Sequence, residues 1–180
     1  MSIGGVNRIR IARAATTAVP PGAPPILPVP YYHQEQDFWC WAACGRMLLG
    51  FFRLTDAQQC EFAERAFHGG CCATPGSSTC NNGYFPENSY GNFGIVIARP
   101  VQSTTQATLD GELGAGRPIE VTYWWTQGGA HVALVTGRNA NGTYEVHDPW
   151  YGAGPRKLSE ISSGYGLGRW ANSYVNLRRR

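Results

Sequence analysis

A chain of 180 residues with a net charge of +3 has the size of one domain and buries a core without needing metals or many cross-links. Its 43% hydrophobic and 12% aromatic content, against 15% charged residues, excludes an intrinsically disordered protein. The small, scattered positive charge, part of it in Arg178-Arg179-Arg180, gives no footprint for nucleic acid, and no run approaches the roughly 20 apolar residues that span a bilayer, so neither a nucleic-acid partner nor a membrane is expected.

Residues 1–28 are rich in Ala, Thr and Pro and read as a flexible arm or pro-segment, with one globular domain over residues 29–180. Arg8, Arg10 and Arg13 interrupt any apolar core of a secretory signal, so export would need another route or a removed leader.

From Cys40 to Phe52 apolar residues occupy most sides of a helix-length segment, which predicts a buried central helix. Thr55 followed by Gln58 resembles a capping box and predicts a second helix through Phe67, ending at Gly69-Gly70. Cys71 to Asn92 reads as a long irregular loop, and a short helix is expected near Thr105 to Leu113. Beyond Pro118 the texture changes to short runs of β-formers at Ile119–Trp125, His131–Thr136, Thr143–His147 and Tyr174–Leu177. Helices first and strands second predict an α+β fold, the central helix packed on a C-terminal antiparallel sheet.

A thiolate is favoured at a helix N-terminus beside a histidine, where Cys40 falls. Upstream lies Gln34, whose amide is the candidate oxyanion donor, with Gln36 as the fallback. His131 heads a strand after Gly128-Gly129-Ala130, which suits a general base held on a rigid element. Asp148 ends the following strand, where two antiparallel strands bring histidine and aspartate side by side and the carboxylate fixes the imidazole tautomer.

The series Gln34, Cys40-Trp41, then Gly129-Ala130-His131-Val132, then His147-Asp148-Pro149-Trp150 resembles the active-site series of the papain-like cysteine peptidases. The segment Gln36 to Ala43, together with Gln59-Cys60, Cys71-Cys72 and Cys80-Asn81, is most similar to their compact bacterial branch. That branch includes the avirulence-effector peptidases and, more distantly, the peptidase domains that trim double-glycine leaders from bacteriocins. The resemblance implies a papain-like fold from about Val29 onward and endopeptidase activity on a protein or peptide without a cofactor or metal. It also implies an exported effector or toxin, a partner such as an inhibitor, immunity or activating protein, and a monomer. Phe38-Trp39 replaces the usual small residues before the nucleophile, and Asp148 stands where asparagine is common, which bears on substrate preference. The same residues also serve deamidation, ligation or cyclisation, and a non-catalytic binding module on the same fold is the reading from a different class.

Trp39, Trp41, Trp125, Gly129 and Ala130 are the candidate substrate contacts, with Tyr123 to Trp125 bordering the groove. His147 points to the opposite face of its strand from Asp148 and reads as structural; His33 and His68 read as surface residues. Cys44, one turn beyond Cys40, reads as a free buried thiol. For Cys60, Cys71, Cys72 and Cys80 a vicinal bridge is strained, so two bridges from Cys60 and Cys80 to the adjacent pair are expected, which points to an oxidising compartment. A four-thiol zinc site is the competing reading.

Overall fold

The computed structural model describes residues 25–97, 100–102 and 105–180. Its helices are α1 (Cys40–Phe52), α2 (Gln59–Phe67), α3 (Pro86–Ser89), α4 (Gln106–Gly114) and α5 (Leu158–Ser162), with a 3-10 turn at Tyr90–Phe93. Strands β1 (Ile95–Val96) and β7 (Arg178–Arg179) form a small antiparallel pair. Strands β2 (Ile119–Trp125), β3 (Ala130–Arg138), β4 (Tyr144–Asp148), β5 (Gly152–Arg156) and β6 (Gly168–Tyr174) form an antiparallel sheet in the order β5-β4-β3-β2-β6. The α+β architecture is the expected one.

The helix α1 forms where the apolar run is densest and packs against β3. Met47, Leu48 and Leu49 are at most 1% exposed, and full burial of such side chains contributes about 1.5–3 kcal/mol each. It ends at Arg53, whose left-handed conformation returns its N–H to the Gly50 carbonyl.

The β2–β3 hairpin sets Tyr123 opposite His131 and Trp124 opposite Ala130. In the β3–β4 pair Leu134 faces His147, which brings Asp148 to the His131 end of β3. The register slips between Val135 and Gly137, and there the Thr136 carbonyl accepts the Leu27 N–H at 2.8 Å. Gly137 permits this approach, since a Cβ would lie 2.5 Å from the Ile26 Cα. Leu27, two residues ahead of the expected Val29 boundary, is itself in the core at 8% exposure. Residues 1–24 of the expected arm lie outside the described residues.

Several local expectations are corrected. The cap of α2 is Gln58, whose N–H donates to Glu61 at 2.6 Å, rather than Thr55. The last sheet strand is Gly168–Tyr174 rather than Tyr174–Leu177, because Asn172 and Ser173 are poor strand formers that pairing with β2 overrides. The Gly- and Pro-rich β5, which no expected strand covered, lies on the sheet edge, where proline is tolerated. The expected irregular loop contains α3, opened by Pro86 at its first turn.

Candidate active site

Cys40 is the first residue of α1, so the opening N–H groups have no partner within the helix and carry its positive dipole end. Both sides of the approach to it are fixed. On one side Gln59, fully buried, accepts the Glu35 N–H at 3.0 Å and donates to the His33 carbonyl at 2.7 Å. On the other, Phe38 N–H donates to Asn81 Oδ1, Trp39 Nε1 to the Cys80 carbonyl and Trp41 Nε1 to the Asn82 carbonyl. That acceptor loop is cross-linked by the disulfides Cys60–Cys72 and Cys71–Cys80, one of the two pairings the sequence allowed and incompatible with a zinc site on the same thiols. Cys40 and Cys44 remain free thiols, and burial pushes the Cys44 thiol well up.

His131 Nε2 lies 2.8 Å from Asp148 Oδ1, leaving Nδ1 as the ring nitrogen for Cys40, which lines the same cavity. The ring is 6% exposed and stacks on Trp125 with centroids 5.6 Å apart. Burial works against the imidazolium, but Asp148 and Cys40 outweigh it and lift the histidine to about 10. Asp148 is fully buried and fully satisfied: Oδ1 also accepts the N–H groups of Trp150 and Tyr151, and Oδ2 accepts the Tyr165 hydroxyl at 3.0 Å. Burial opposes its charge, yet His131 and these backbone donors hold the carboxyl below its usual range.

These groups open on a cavity of about 600 Å³ shared by Cys40, His131 and Gln34. Its rim is aromatic and open: Phe38, Phe85, Trp124, Trp150 and Tyr151 are all between 45% and 65% exposed. Gly128 and Gly129, at φ 95° and 86°, make the hairpin turn that brings the chain back into β3 at Ala130. Of the expected substrate contacts, Trp125, Gly129, Ala130 and Trp41 line the cavity, although Trp41 is only 1% exposed and forms its floor. Trp39 does not fit that expectation: it is fully buried, because its indole is drawn inward to the Cys80 carbonyl.

Gln34 also lines the cavity, but its amide is already engaged. Nε2 donates to the carbonyls of Gln36 at 2.8 Å and Asp37 at 2.7 Å, so in this conformation both hydrogens shape the turn before Cys40. His147 turns away from Asp148 and meets the Tyr31 ring edge-on.

The family model described as the papain-like cysteine protease AvrRpt2 matches residues 26–162. The chain belongs to that family of cysteine peptidases. Its fold is similar to that of a double glycine motif protease from an AMS/PCAT transporter, solved in complex with the leader peptide: TM-score 0.53, 14% identity, covering 90% of this chain and 97% of that one. A search of curated proteins finds no match. No helix among the described residues is long and apolar enough to cross a membrane.

Two supports of the AvrRpt2-type site escape sequence reasoning. Gln59 opens an amphipathic helix, where a polar residue ordinarily faces water. Tyr165 lies in a Gly-rich turn and reaches Asp148 only through the tertiary fold. The Asp148-Pro149 turn did carry a signal, since aspartate before such a turn commonly accepts following N–H groups.

Proposed function

We propose that the chain is an endopeptidase in which Cys40 is the nucleophile, His131 the acid–base group and Asp148 the carboxylate that orients it. The observation supporting this reading most directly is the 2.8 Å contact between His131 and Asp148 in a cavity shared with Cys40 at a helix N-terminus. The Cys40 thiolate attacks the carbonyl carbon of a bound peptide, and the Cys40 N–H receives the oxyanion. Gln34 joins it by exchanging one of its two carbonyl partners for the oxyanion. The imidazolium of His131 gives its Nδ1 proton to the leaving amine as the C–N bond breaks. The neutral ring then takes a proton from water, whose oxygen displaces the thiolate and releases the carboxylic product.

The open aromatic rim suits an extended peptide with apolar side chains, and Trp125, Gly129 and Ala130 form the wall beside His131. Two disulfides favour action in an oxidising compartment, which supports an exported effector or toxin.

Peptide-library cleavage by wild type and Cys40→Ala, read by mass spectrometry, tests the assignment. Fragments from wild type alone are expected. Cleavage by Cys40→Ala overturns the nucleophile, and mass changes without fragments reassign the site to deamidation or transfer.

A further inference from the structure

Glu120 is the second residue of β2 and is fully buried, in a strand whose other buried residues are apolar or aromatic apart from Thr122. A carboxyl group in such a place is costly unless it is neutral or well paired. Its Oε2 is 2.7 Å from the Tyr90 hydroxyl oxygen, and that hydroxyl is 2.8 Å from the Trp41 carbonyl. Oε1 has no hydrogen-bond partner among the described residues.

Counting hydrogens decides the protonation. The Tyr90 hydroxyl has one hydrogen, and the Trp41 carbonyl only accepts. With Glu120 ionised, Tyr90 faces two acceptors and satisfies one, leaving an oxygen pair in contact without a hydrogen between them. With Glu120 protonated, its O–H donates to the Tyr90 oxygen and Tyr90 donates to Trp41, so both contacts are hydrogen bonds. Trp41 directly follows Cys40, and the chain of bonds therefore runs from the start of β2 to the first turn of α1.

We propose that Glu120, kept as a neutral acid, is a positioning residue that acts through Tyr90 to hold the first turn of α1, and with it Cys40, in register with the sheet bearing His131. This rests on the reading of Cys40 and His131 as the reacting pair. The titratable groups facing Glu120 are Tyr90 from the 3-10 turn, Cys40 and Cys44 from α1, Glu87 from α3, His131 from β3 and Tyr174 opposite it on β6. Burial pushes the carboxyl well up. A hydrogen donated by Tyr90 would pull it down, but Tyr90 gives its one hydrogen to Trp41; Cys40 and Glu87 raise the carboxyl, and His131 lowers it.

The test is proton linkage followed by kinetics. In the unfolded chain Glu120 ionises near about pH 4.3, so above that pH folding takes up one proton at this site and stability falls as pH rises. Urea unfolding at pH 5 and pH 6 compares wild type with Glu120→Gln, whose amide still donates to Tyr90. His131 and Asp148 keep their charge states in both variants over this window. The folding equilibrium constant of wild type is expected to lose about tenfold more per pH unit than that of Glu120→Gln.

Glu120→Gln should keep kcat within about threefold, whereas Glu120→Leu and Tyr90→Phe should lower kcat about ten- to a hundredfold with KM little changed, the size expected of a small misplacement of the nucleophile. Where Glu120→Leu does not fold, Tyr90→Phe carries the kinetic arm. Equal pH slopes for wild type and Glu120→Gln overturn the proposal, as does a Glu120→Gln enzyme as slow as Glu120→Leu, or full kcat in both Glu120→Leu and Tyr90→Phe. Should wild type cleave no peptide, the peptidase reading of the site fails separately. The proton linkage and the rate of Cys40 alkylation then still decide the role of Glu120.

Discussion

Asp148 Oδ1 accepts the Trp150 and Tyr151 N–H groups at 2.9 Å each and His131 Nε2 at 2.8 Å, all at one oxygen. The carboxylate is thus aimed by its own turn before the histidine meets it. Asp148→Ala should lower kcat/KM by about 100-fold or more, by releasing the ring. Asp148→Asn keeps an oxygen for the same donors but removes the charge that favours the imidazolium. It should retain more activity than the alanine variant, with the alkaline limit of its pH profile moved down from near 10, read as kcat/KM against pH.

Stability should follow the His131 proton. The folded value of about 10 lies above the unfolded value of about 6.5, so the native state holds the proton more tightly. The associated stabilisation is fully present below about pH 6.5 and is lost as pH rises through about 10. Denaturant unfolding across that range should show a decline in wild type that is shallower in His131→Gln.

Reduction should weaken both fold and site. Denatured without reductant the chain should titrate two thiols, and after reduction all six. Replacing Cys71 and Cys80 by serine should cost about 2–4 kcal/mol in unfolding free energy. Activity should fall by more than the loss of folded protein explains, because the Cys80 carbonyl and the Asn81 side chain anchor Trp39 and Phe38 ahead of the nucleophile.

Two further sets of variants separate binding from chemistry. Trp124→Ala and Tyr151→Ala remove exposed rim surface and should raise KM several-fold with kcat nearly intact. Gln34→Ala should instead lower kcat, by up to about 100- to 1,000-fold where an oxyanion donor is lost. Steady-state kinetics on one peptide distinguishes the two.

The strand β2 and the helix α1 were legible because their apolar runs are long and nearly continuous: Ile119–Trp125 and Cys40–Phe52 are recovered with the same bounds. The edge strand β5 was not, since Gly152-Ala153-Gly154-Pro155 carries no apolar alternation and is held by β4 alone. In the proposed site, Cys40, His131 and Asp148 were picked out by chain order and local context, and the fold sets all three around one cavity or its wall. Their supports were hidden because Gln59, Tyr165 and Tyr90 act through contacts distant in sequence, which no local period records. Trp39 was misjudged for a related reason: adjacency to the nucleophile suggested the cleft, while a carbonyl 41 positions away drew the indole into the core.

The Leu27 backbone bond to Thr136, with Ile26 seated on Gly137, fixes how short the protein can be made. A fusion tag or a protease cut placed ahead of Pro25 leaves this strap whole. A start site moved beyond Leu27 takes a core side chain and the filler of the β3 bulge with it, so expression boundaries chosen at the first motif residue would deliver an unbraced sheet.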